Sequence, residues 1–157
     1  MIFITVGTAN KGFDRLIQKC DELALKYGLS FFAQIGSSQF TPKNIPYKRW
    51  LNKEEITKYY QDASAFIIHG GFGTLSEILR IGKPIVVVPR TFENGEAVND
   101  QSDLSSKLAA LGFVINVTDM EMLEPAINAI NTTSLKSYNL NSNIPEILKE
   151  SILNLLK

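Results

Sequence analysis

Short, uninterrupted apolar segments alternate with helical patterns along the first 130 residues of this chain. A strand whose residues are all apolar has both faces covered, which is typical of parallel sheets with helices on either side. The alternation therefore predicts an α/β fold with a doubly wound, mostly parallel, Rossmann-like sheet, in which ligands bind beyond the carboxyl ends of the strands. The predicted strands are residues 1–7, 31–35, 47–50, 65–68, 85–88 and 113–117.

Apolar residues at helical spacing predict the elements between the strands. We expect residues 1–130 to form the domain proper. Residues 131–157 form a separate region, in which a polar, Asn-rich connector runs to residue 143 and an amphipathic helix follows. This terminal helix either packs on its own domain or docks on a partner. The other predicted helices are residues 13–27, 53–62, 75–80, 100–111 and 120–130.

The composition argues against several classes of function. The 157 residues include 16 basic and 16 acidic side chains, so no basic excess favours nucleic-acid binding. One cysteine, Cys20, and one histidine, His69, form no zinc-type cluster, and a single cysteine fits a reducing cytoplasm. No apolar run reaches the ~20 residues of a membrane span, and the first residues have the pattern of a buried strand instead of a signal peptide.

The segment 65–77, AFIIHGGFGTLSE, carries the main functional signal. An apolar strand leads to His69, a glycine-rich turn follows, and a helix is predicted to begin at Thr74. This order places several backbone N–H groups at a helix N-terminus, where the helix dipole adds partial positive charge. Because glycines let a ligand approach the backbone closely, the turn is suited to a diphosphate. The glycines are Gly70, Gly71 and Gly73.

Two common phosphate-binding motifs do not fit this turn. A P-loop requires Gly-Lys-Ser/Thr after the glycines, and none follows here. A dinucleotide fingerprint requires a third glycine, which is missing after Gly73, and the turn follows a strand in the middle of the chain. A nicotinamide-dependent enzyme stays an option that a comparison of nucleotide binding would test.

Glu77 follows Thr74 by three residues, so both side chains face one side of the first predicted helical turn. A carboxylate in this place can accept two hydrogen bonds from the hydroxyls of a ribose. The same spacing is that of a capping box, in which Glu77 would accept a hydrogen bond from the Thr74 N–H. The spacing leaves both interpretations open.

Further polar residues follow the neighbouring strands at the same predicted rim. Asn99 is either a sugar-binding amide or the N-cap of the next helix, whereas Gln101 has no capping role to explain it. His69 either caps the diphosphate, or orients an acceptor, or is a histidine satisfied at a strand end. The remaining rim candidates, which ordinary turns would equally explain, are Gly7 and Thr8 after the first strand and Gly36, Ser37 and Ser38 after the second.

The stretch HGGFGTLSEILRIGKPIVVVPR, followed by NDQSDLSSKLAALGFVI, resembles the C-terminal, donor-binding domain of glycosyltransferase family 28, the MurG type. The opening ITVGT, the FDRLI run and the QIGSS turn are more similar to the short single-domain members. Those members include the catalytic subunit of the eukaryotic two-subunit N-acetylglucosaminyltransferase and bacterial halves of split exopolysaccharide and capsule transferases. The resemblance covers about residues 1–130.

The resemblance implies the C-terminal half of a GT-B enzyme, which binds a UDP-sugar. Glu77 would bind the ribose, Asn99 and Gln101 would contact the donor sugar, and the uracil would lie near residues 36–51. Asp100 stands where the eukaryotic relatives often have histidine. The helix N-terminus would take the place of a divalent metal, so no cofactor and no metal ion are expected. The residues that would hold the diphosphate are Gly70, Gly71, Gly73 and Thr74.

The resemblance further implies an inverting glycosyltransferase that moves the sugar to a lipid-linked acceptor, in bacterial exopolysaccharide or capsule synthesis. The base would then lie on a second, membrane-associated subunit, and this chain would be cytoplasmic and held at the membrane through that partner. The alternatives are a non-catalytic UDP-sugar-binding subunit, a UDP-GlcNAc transferase of the dolichol type, and a UDP-sugar epimerase.

Overall fold

The computed structural model of the chain describes residues 1–96, 101–130 and 132–137. Within these ranges six strands form one fully parallel sheet, which confirms the predicted fold class. The strands are β1 (Ile2–Thr5), β2 (Phe31–Gln34), β3 (Tyr47–Lys48), β4 (Ala65–His69), β5 (Ile85–Val88) and β6 (Ile115–Asn116). Their order across the sheet is β3-β2-β1-β4-β5-β6.

The direction in which strands are added reverses next to β1. The chain places β2 and β3 on one side of β1, then returns to place β4, β5 and β6 on the other side. Ile2 of β1 is therefore paired with Phe31 of β2 and with Ala65 of β4. At such a reversal the connections that follow the two central strands leave toward opposite faces, so a crevice opens between them at the carboxyl ends.

Helices cover both faces of the sheet and bury its apolar side chains. One face packs against α1 (Asp14–Tyr27) and α5 (Leu123–Ala129), with Leu16, Ile67 and Ile127 in a common core. The other face packs against α2 (Lys53–Asp62), α3 (Phe72–Leu79) and α4 (Ser102–Ala110). The single cysteine, Cys20, is fully buried in the first of these cores, as a packed thiol would be.

Two predicted helices begin differently in the structure. Helix α3 begins at Phe72, two residues before the predicted start at Thr74. The last predicted helix is a 3₁₀ turn at Met120–Met122 followed by α5, because the side chain of Asp119 accepts a hydrogen bond from the Glu121 N–H and fixes the entry. The predicted terminal helix lies outside the described residues. Within the described ranges we find no helix whose length and apolar character would let it span a bilayer.

Candidate functional site

A cleft of about 540 Å³ opens at the carboxyl ends of β1 and β4, where the strand order reverses. Its walls come from the turns that follow these two strands, from α3, and from α2 with the two residues 50 and 51 before it. None of the lining residues is a lysine or an arginine, and Glu77 is the charged one among them. The lining residues are Thr5, Gly7, Thr8, Ala9, Gln34, Trp50, Leu51, Ile56, Tyr60, His69, Gly71, Gly73, Thr74 and Glu77.

The N-terminus of α3 forms one wall of the cleft. Gly71 is its N-cap, and the first helical hydrogen bond runs from the Leu75 N–H to the Gly71 carbonyl at 3.0 Å. The N–H groups of Phe72, Gly73 and Thr74 consequently precede any acceptor that the helix itself could offer. Three backbone donors and the positive end of the helix dipole thus stand at this edge of the cleft, an arrangement suited to an anion.

The structure removes one of the two interpretations of Glu77. Thr74 lies inside the helix, and the N-cap residue Gly71 has no side chain, so a Thr74–Glu77 capping box does not form. The Glu77 carboxylate instead lines the cleft and accepts a long hydrogen bond of 3.5 Å from the Tyr60 hydroxyl. Burial, followed by the charge of Glu77, raises the pKa of Tyr60 above its ordinary value, so Tyr60 remains a proton donor to that carboxylate.

His69, at the end of β4, lies between the turns that follow β1 and β4. A Cβ built on Gly7 or on Gly71 would overlap its imidazole, and for this reason both turns require glycine next to it. The side chain is 7% exposed and its Nδ1 has no partner among the described residues. Burial, then the positive charge of Arg90, lower the pKa of His69 to about 4, against a smaller opposite effect of the Thr5 backbone. His69 is therefore neutral at physiological pH.

A buried hydrogen-bond network holds the turn that follows β1. The Thr5 hydroxyl donates to the side-chain oxygen of Gln34 at 2.6 Å and accepts from the Gly7 N–H at 3.2 Å. The Gln34 amide donates in turn to the carbonyl oxygens of Gly7 and Arg49, at 3.1 and 3.0 Å. Gly7 adopts a φ of 72°, a left-handed conformation that favours glycine. These contacts fix the rim formed by Gly7 and Thr8.

An aromatic and an aliphatic side chain form the far end of the cleft. Trp50 is 50% exposed, and Leu51 beside it packs partly against the second core. The Arg49 guanidinium donates to the carbonyls of Gly36 and Ser38, at 3.3 and 2.8 Å, and so holds the turn after β2 against this segment. An exposed indole at a cleft wall offers a flat surface on which a base can stack.

Arg90 is a fully buried cation just behind this rim. It follows β5 by two residues, is 1% exposed, and stacks on Phe13 with its guanidinium carbon 4.6 Å from the ring centroid. Its Nη2 donates to the Val6 carbonyl at 2.9 Å, and its Nη1 donates to carbonyls of both neighbouring loops. These other acceptors are Lys11 at 3.1 Å, Gly12 at 2.8 Å and Glu96 at 3.2 Å.

The match to known families decides what kind of domain this is. Residues 1–155 match the family model of the glycosyltransferase family 28 C-terminal domain. The chain belongs to this family. One relative is the uncharacterized UDP-glucosyltransferase YojK of Bacillus subtilis (strain 168), which is 30% identical over 95 residues. That match covers 57% of this chain and 23% of YojK, so the chain spans about a quarter of that relative's length.

Solved structures share the fold of this family 28 domain. The solution structure of ALG13 superposes with a TM-score of 0.63 at 16% identity, over 94% of this chain and 92% of ALG13. The glycosyltransferase SsfS6 of Streptomyces sp. SF2575, complexed with thymidine diphosphate, gives a TM-score of 0.60 at 20% identity. Here the match covers 85% of this chain and 33% of SsfS6. The domain thus resembles both a whole short protein and one part of a longer enzyme.

The family 28 domain brings most of the predicted site residues together. Two predicted residues, Gly70 and Gln101, lie beside the cleft and do not line it. Gly70 packs against the start of α4, where an added Cβ would come within 3.2 Å of the Gln101 Cβ. Gln101 is the N-cap residue of α4 without a side-chain capping bond, and its side-chain oxygen is buried with no partner among the described residues. Asn99 lies outside the described residues. The predicted residues that line the cleft are Gly7, Thr8, His69, Gly71, Gly73, Thr74 and Glu77.

The second-strand candidates have structural contacts instead. The Ser38 hydroxyl accepts from the Phe13 N–H at 2.9 Å, and the Ser37 hydroxyl donates to the Ala9 carbonyl at 3.1 Å, so both join the turns after β1 and β2. Sequence reasoning did not find Trp50 or Arg90. An exposed tryptophan after the predicted strand 47–50 was the available signal for the first. An arginine directly after an apolar strand gave no sign that it would be buried.

Proposed function

We propose that this chain is the donor-binding part of an inverting glycosyltransferase, and that its cleft binds a UDP-sugar. The observation that carries the proposal is the N-terminus of α3 at the point where the strand order reverses. Gly73 and Thr74, whose N–H groups have no acceptor within the helix, line the same cleft as Glu77. An anion site next to a ribose-binding carboxylate is the pairing that a nucleoside diphosphate needs.

The diphosphate would lie against Gly71, Gly73 and Thr74. No lysine or arginine lines the cleft, so the backbone donors and the helix dipole would supply most of the positive potential. The same donors would stabilise the charge that develops on the departing diphosphate. His69, neutral and with its ring at the cleft wall, would donate or accept one hydrogen bond without adding charge.

The nucleoside would extend from the diphosphate toward α2. The Glu77 carboxylate would accept hydrogen bonds from the ribose hydroxyls while Tyr60 donates to its other side. The base would stack on Trp50 and lie near Leu51, at the far end of the cleft. Gln101, and Asn99 outside the described residues, would be placed at the donor-sugar end.

No metal ion is needed in this proposal. Among the described residues, no group of three or more His, Cys, Asp or Glu side chains could hold one. A helix N-terminus that binds the diphosphate directly would do the work that a divalent cation does in other transferases. The proposed donor site would therefore bind UDP in the presence of a chelator.

A second chain would complete the enzyme. The chain spans about a third of SsfS6 and about a quarter of YojK, but nearly all of ALG13, which supports a domain that works as a separate polypeptide. The proposed partner is a membrane-associated subunit that binds a lipid-linked sugar acceptor and supplies the base for its hydroxyl. Residues 131–157 would contribute to docking on this partner, and bacterial exopolysaccharide or capsule synthesis would be the setting.

The experiment is a transfer assay on the chain with and without its partner. We expect the purified chain, a UDP-sugar and a lipid-linked acceptor to release almost no UDP, and the addition of the partner to raise UDP release by at least a hundredfold. A chain that binds UDP but never supports transfer would instead be a non-catalytic sugar-nucleotide-binding subunit. Transfer at the same rate with and without the partner would contradict the two-subunit proposal.

A further inference from the structure

Arg90 spans the end of β4 from one neighbouring strand to the other. In the sheet, β4 lies between β1 and β5. Arg90 follows β5, and its guanidinium donates to the carbonyl of Val6, which follows β1. Between these two points lies the carboxyl end of β4, with His69 and the glycine turn. The side chain of Arg90 therefore lies across the base of the proposed diphosphate site.

The four acceptors of Arg90 belong to the two loops that flank the glycine turn. Val6, Lys11 and Gly12 belong to the loop between β1 and α1, and Glu96 belongs to the loop between β5 and α4. The first loop carries the cleft residues Gly7, Thr8 and Ala9. One side chain thus sets the spacing between the rims on either side of β4.

A second arginine closes the loop after β5 around Arg90. Arg15 of α1 pairs with both carboxylate oxygens of Glu96, at 2.7 and 3.1 Å, and donates to the Pro89 carbonyl at 3.0 Å. Glu96 is almost buried, at 9% exposure. The charged groups that act on Arg90 are Glu96, then Arg15, then Asp14; the two carboxylates favour the cation, whereas Arg15 opposes it. The charge of Arg90 in turn lowers the pKa of His69, as a smaller effect than burial.

We propose that Arg90 is a positioning residue for the donor site, which fixes both rims around the glycine turn, and with them the surroundings of His69, without touching the ligand. This inference rests on the proposed function of the cleft. It explains why a cation is buried directly behind an anion site whose own lining contains no cationic side chain. A buried charge is costly unless it is hydrogen-bonded, and four carbonyls bind the two terminal nitrogens of this guanidinium, whereas its Nε has no partner among the described residues.

Arginine is suited to bind the carbonyls of both flanking loops. Its planar guanidinium offers donors in a fixed fork, so it can bind carbonyls of two separate loops at once, while its flat face stacks on Phe13. A lysine in the same place would retain the charge, but its ammonium could contact only part of the four carbonyls. The effect of the charge at position 90 can therefore be separated from that of the guanidinium geometry by comparing Arg90→Lys with Arg90→Met.

The test compares Arg90→Met and Arg90→Lys with the unaltered chain. We expect folded Arg90→Met to bind UDP at least tenfold more weakly and its His69 imidazole, followed by NMR, to titrate at a higher pH than in the unaltered chain. Arg90→Lys should keep the low His69 titration, because the charge remains, and recover only part of the UDP affinity. The exposed Arg80 at the end of α3 gives the control Arg80→Met, for which neither quantity should change.

Two results would overturn the inference. One is a folded Arg90→Met chain that binds UDP within twofold of the unaltered chain, and the other is an unchanged His69 titration in that variant. If Arg90→Met does not fold, equal UDP affinity of Arg90→Lys and the unaltered chain would overturn it in the same way. Failure of the unaltered chain to bind UDP would instead contradict the proposed function, while the His69 titration would still decide whether Arg90 acts on that residue.

Discussion

At the scale of single residues, two glutamates, Glu55 of α2 and Glu77 of α3, have different tasks. In α2, Glu55 completes a capping box with Asn52, in which each side chain accepts from the other residue's backbone N–H. In α3, Glu77 faces the cleft, and the N-cap residue is a glycine without a side chain to share. The chain therefore contains a matched pair with which capping and ligand binding can be distinguished.

We expect Glu77→Ala to lower the affinity for UDP by at least tenfold, about 1.4 kcal/mol, because the ribose loses its carboxylate acceptor. Its thermal midpoint should hardly change, since Glu77 supports no helix cap. Glu55→Ala should do the reverse, with a lower thermal midpoint and unchanged UDP affinity. Calorimetric titration and thermal unfolding of both variants measure these effects. Equal UDP affinity of Glu77→Ala and the unaltered chain would contradict the assigned role.

The buried histidine predicts a specific dependence of stability on pH. The pKa of His69 is about 4 in the folded chain and ~6.5 in an unfolded one. Between these values the unfolded chain binds more protons than the folded one, so the free energy of unfolding decreases as the pH falls through this window, by up to ~1.4 kcal/mol per pH unit. Above pH 6.5 this contribution is complete and constant.

His69 is the sole histidine of the chain, so its titration can be followed without ambiguity. Urea unfolding at pH 7 and pH 5 should show a smaller loss of stability in His69→Gln than in the unaltered chain, because carboxylates titrate equally in both. NMR should find the imidazole neutral at pH 5.5. An imidazole that titrates near pH 6.5 would show that the ring is not held as we describe.

At the scale of elements, the start of α3 is where the sequence prediction and the structure differ in an instructive way. The glycine-rich turn predicts a helix start at Thr74, directly after its last glycine, but the helix already begins at Phe72 with Gly71 as its cap. Glycine can precede a helix without a side-chain cap, and the two earlier residues therefore join the helix. This shift places the free N–H groups directly at the glycine turn, where the ligand is expected.

Gly73 offers a test of this helix start. It is the second helical residue, and a Cβ added to it would meet no atom within 4 Å, because it would project into open space at the cleft. Gly73→Ala should raise the free energy of unfolding by ~0.5–1 kcal/mol, since alanine loses less conformational entropy in a helix. It should also lower UDP affinity at least tenfold, because the methyl group occupies the space of the diphosphate.

In Gly73→Ala, thermal unfolding should therefore show a more stable chain, and calorimetric titration should show a lower affinity for UDP. A more stable chain that binds UDP as tightly as before would mean that the ligand does not approach α3 at this residue. A less stable chain would mean that the helix does not begin where the structure places it.

At the scale of the whole molecule, the fold class was predictable from the sequence because continuous apolar strands that alternate with helical patterns are typical of a parallel sheet. Helix α2 and strand β5 even have their predicted bounds. Strand order was not accessible, because local patterns do not show which strands become neighbours. That order places the turns after β1 and β4 side by side, and it explains why Gly7 and Glu77 share one cleft.

The parts of the site that the sequence did not predict depend on long-range contacts. The carbonyls that bind Arg90 belong to Val6, Lys11 and Gly12, which lie 78–84 residues away along the chain. The Thr5–Gln34 pair, 29 residues apart, likewise requires β1 and β2 to be adjacent. Motifs within one turn could be recognised in advance, whereas the residues that support them from behind could not.

The central claim is that the cleft binds a uridine diphosphate without a metal ion, and calorimetric titration of the purified chain with UDP in the presence of a chelator tests it most directly. NAD serves as the control nucleotide. We expect saturable binding of UDP with one site per chain, weakened in Glu77→Ala, and no binding of NAD. Tighter binding of NAD than of UDP, or UDP binding that appears only when a divalent cation is restored, would contradict the account.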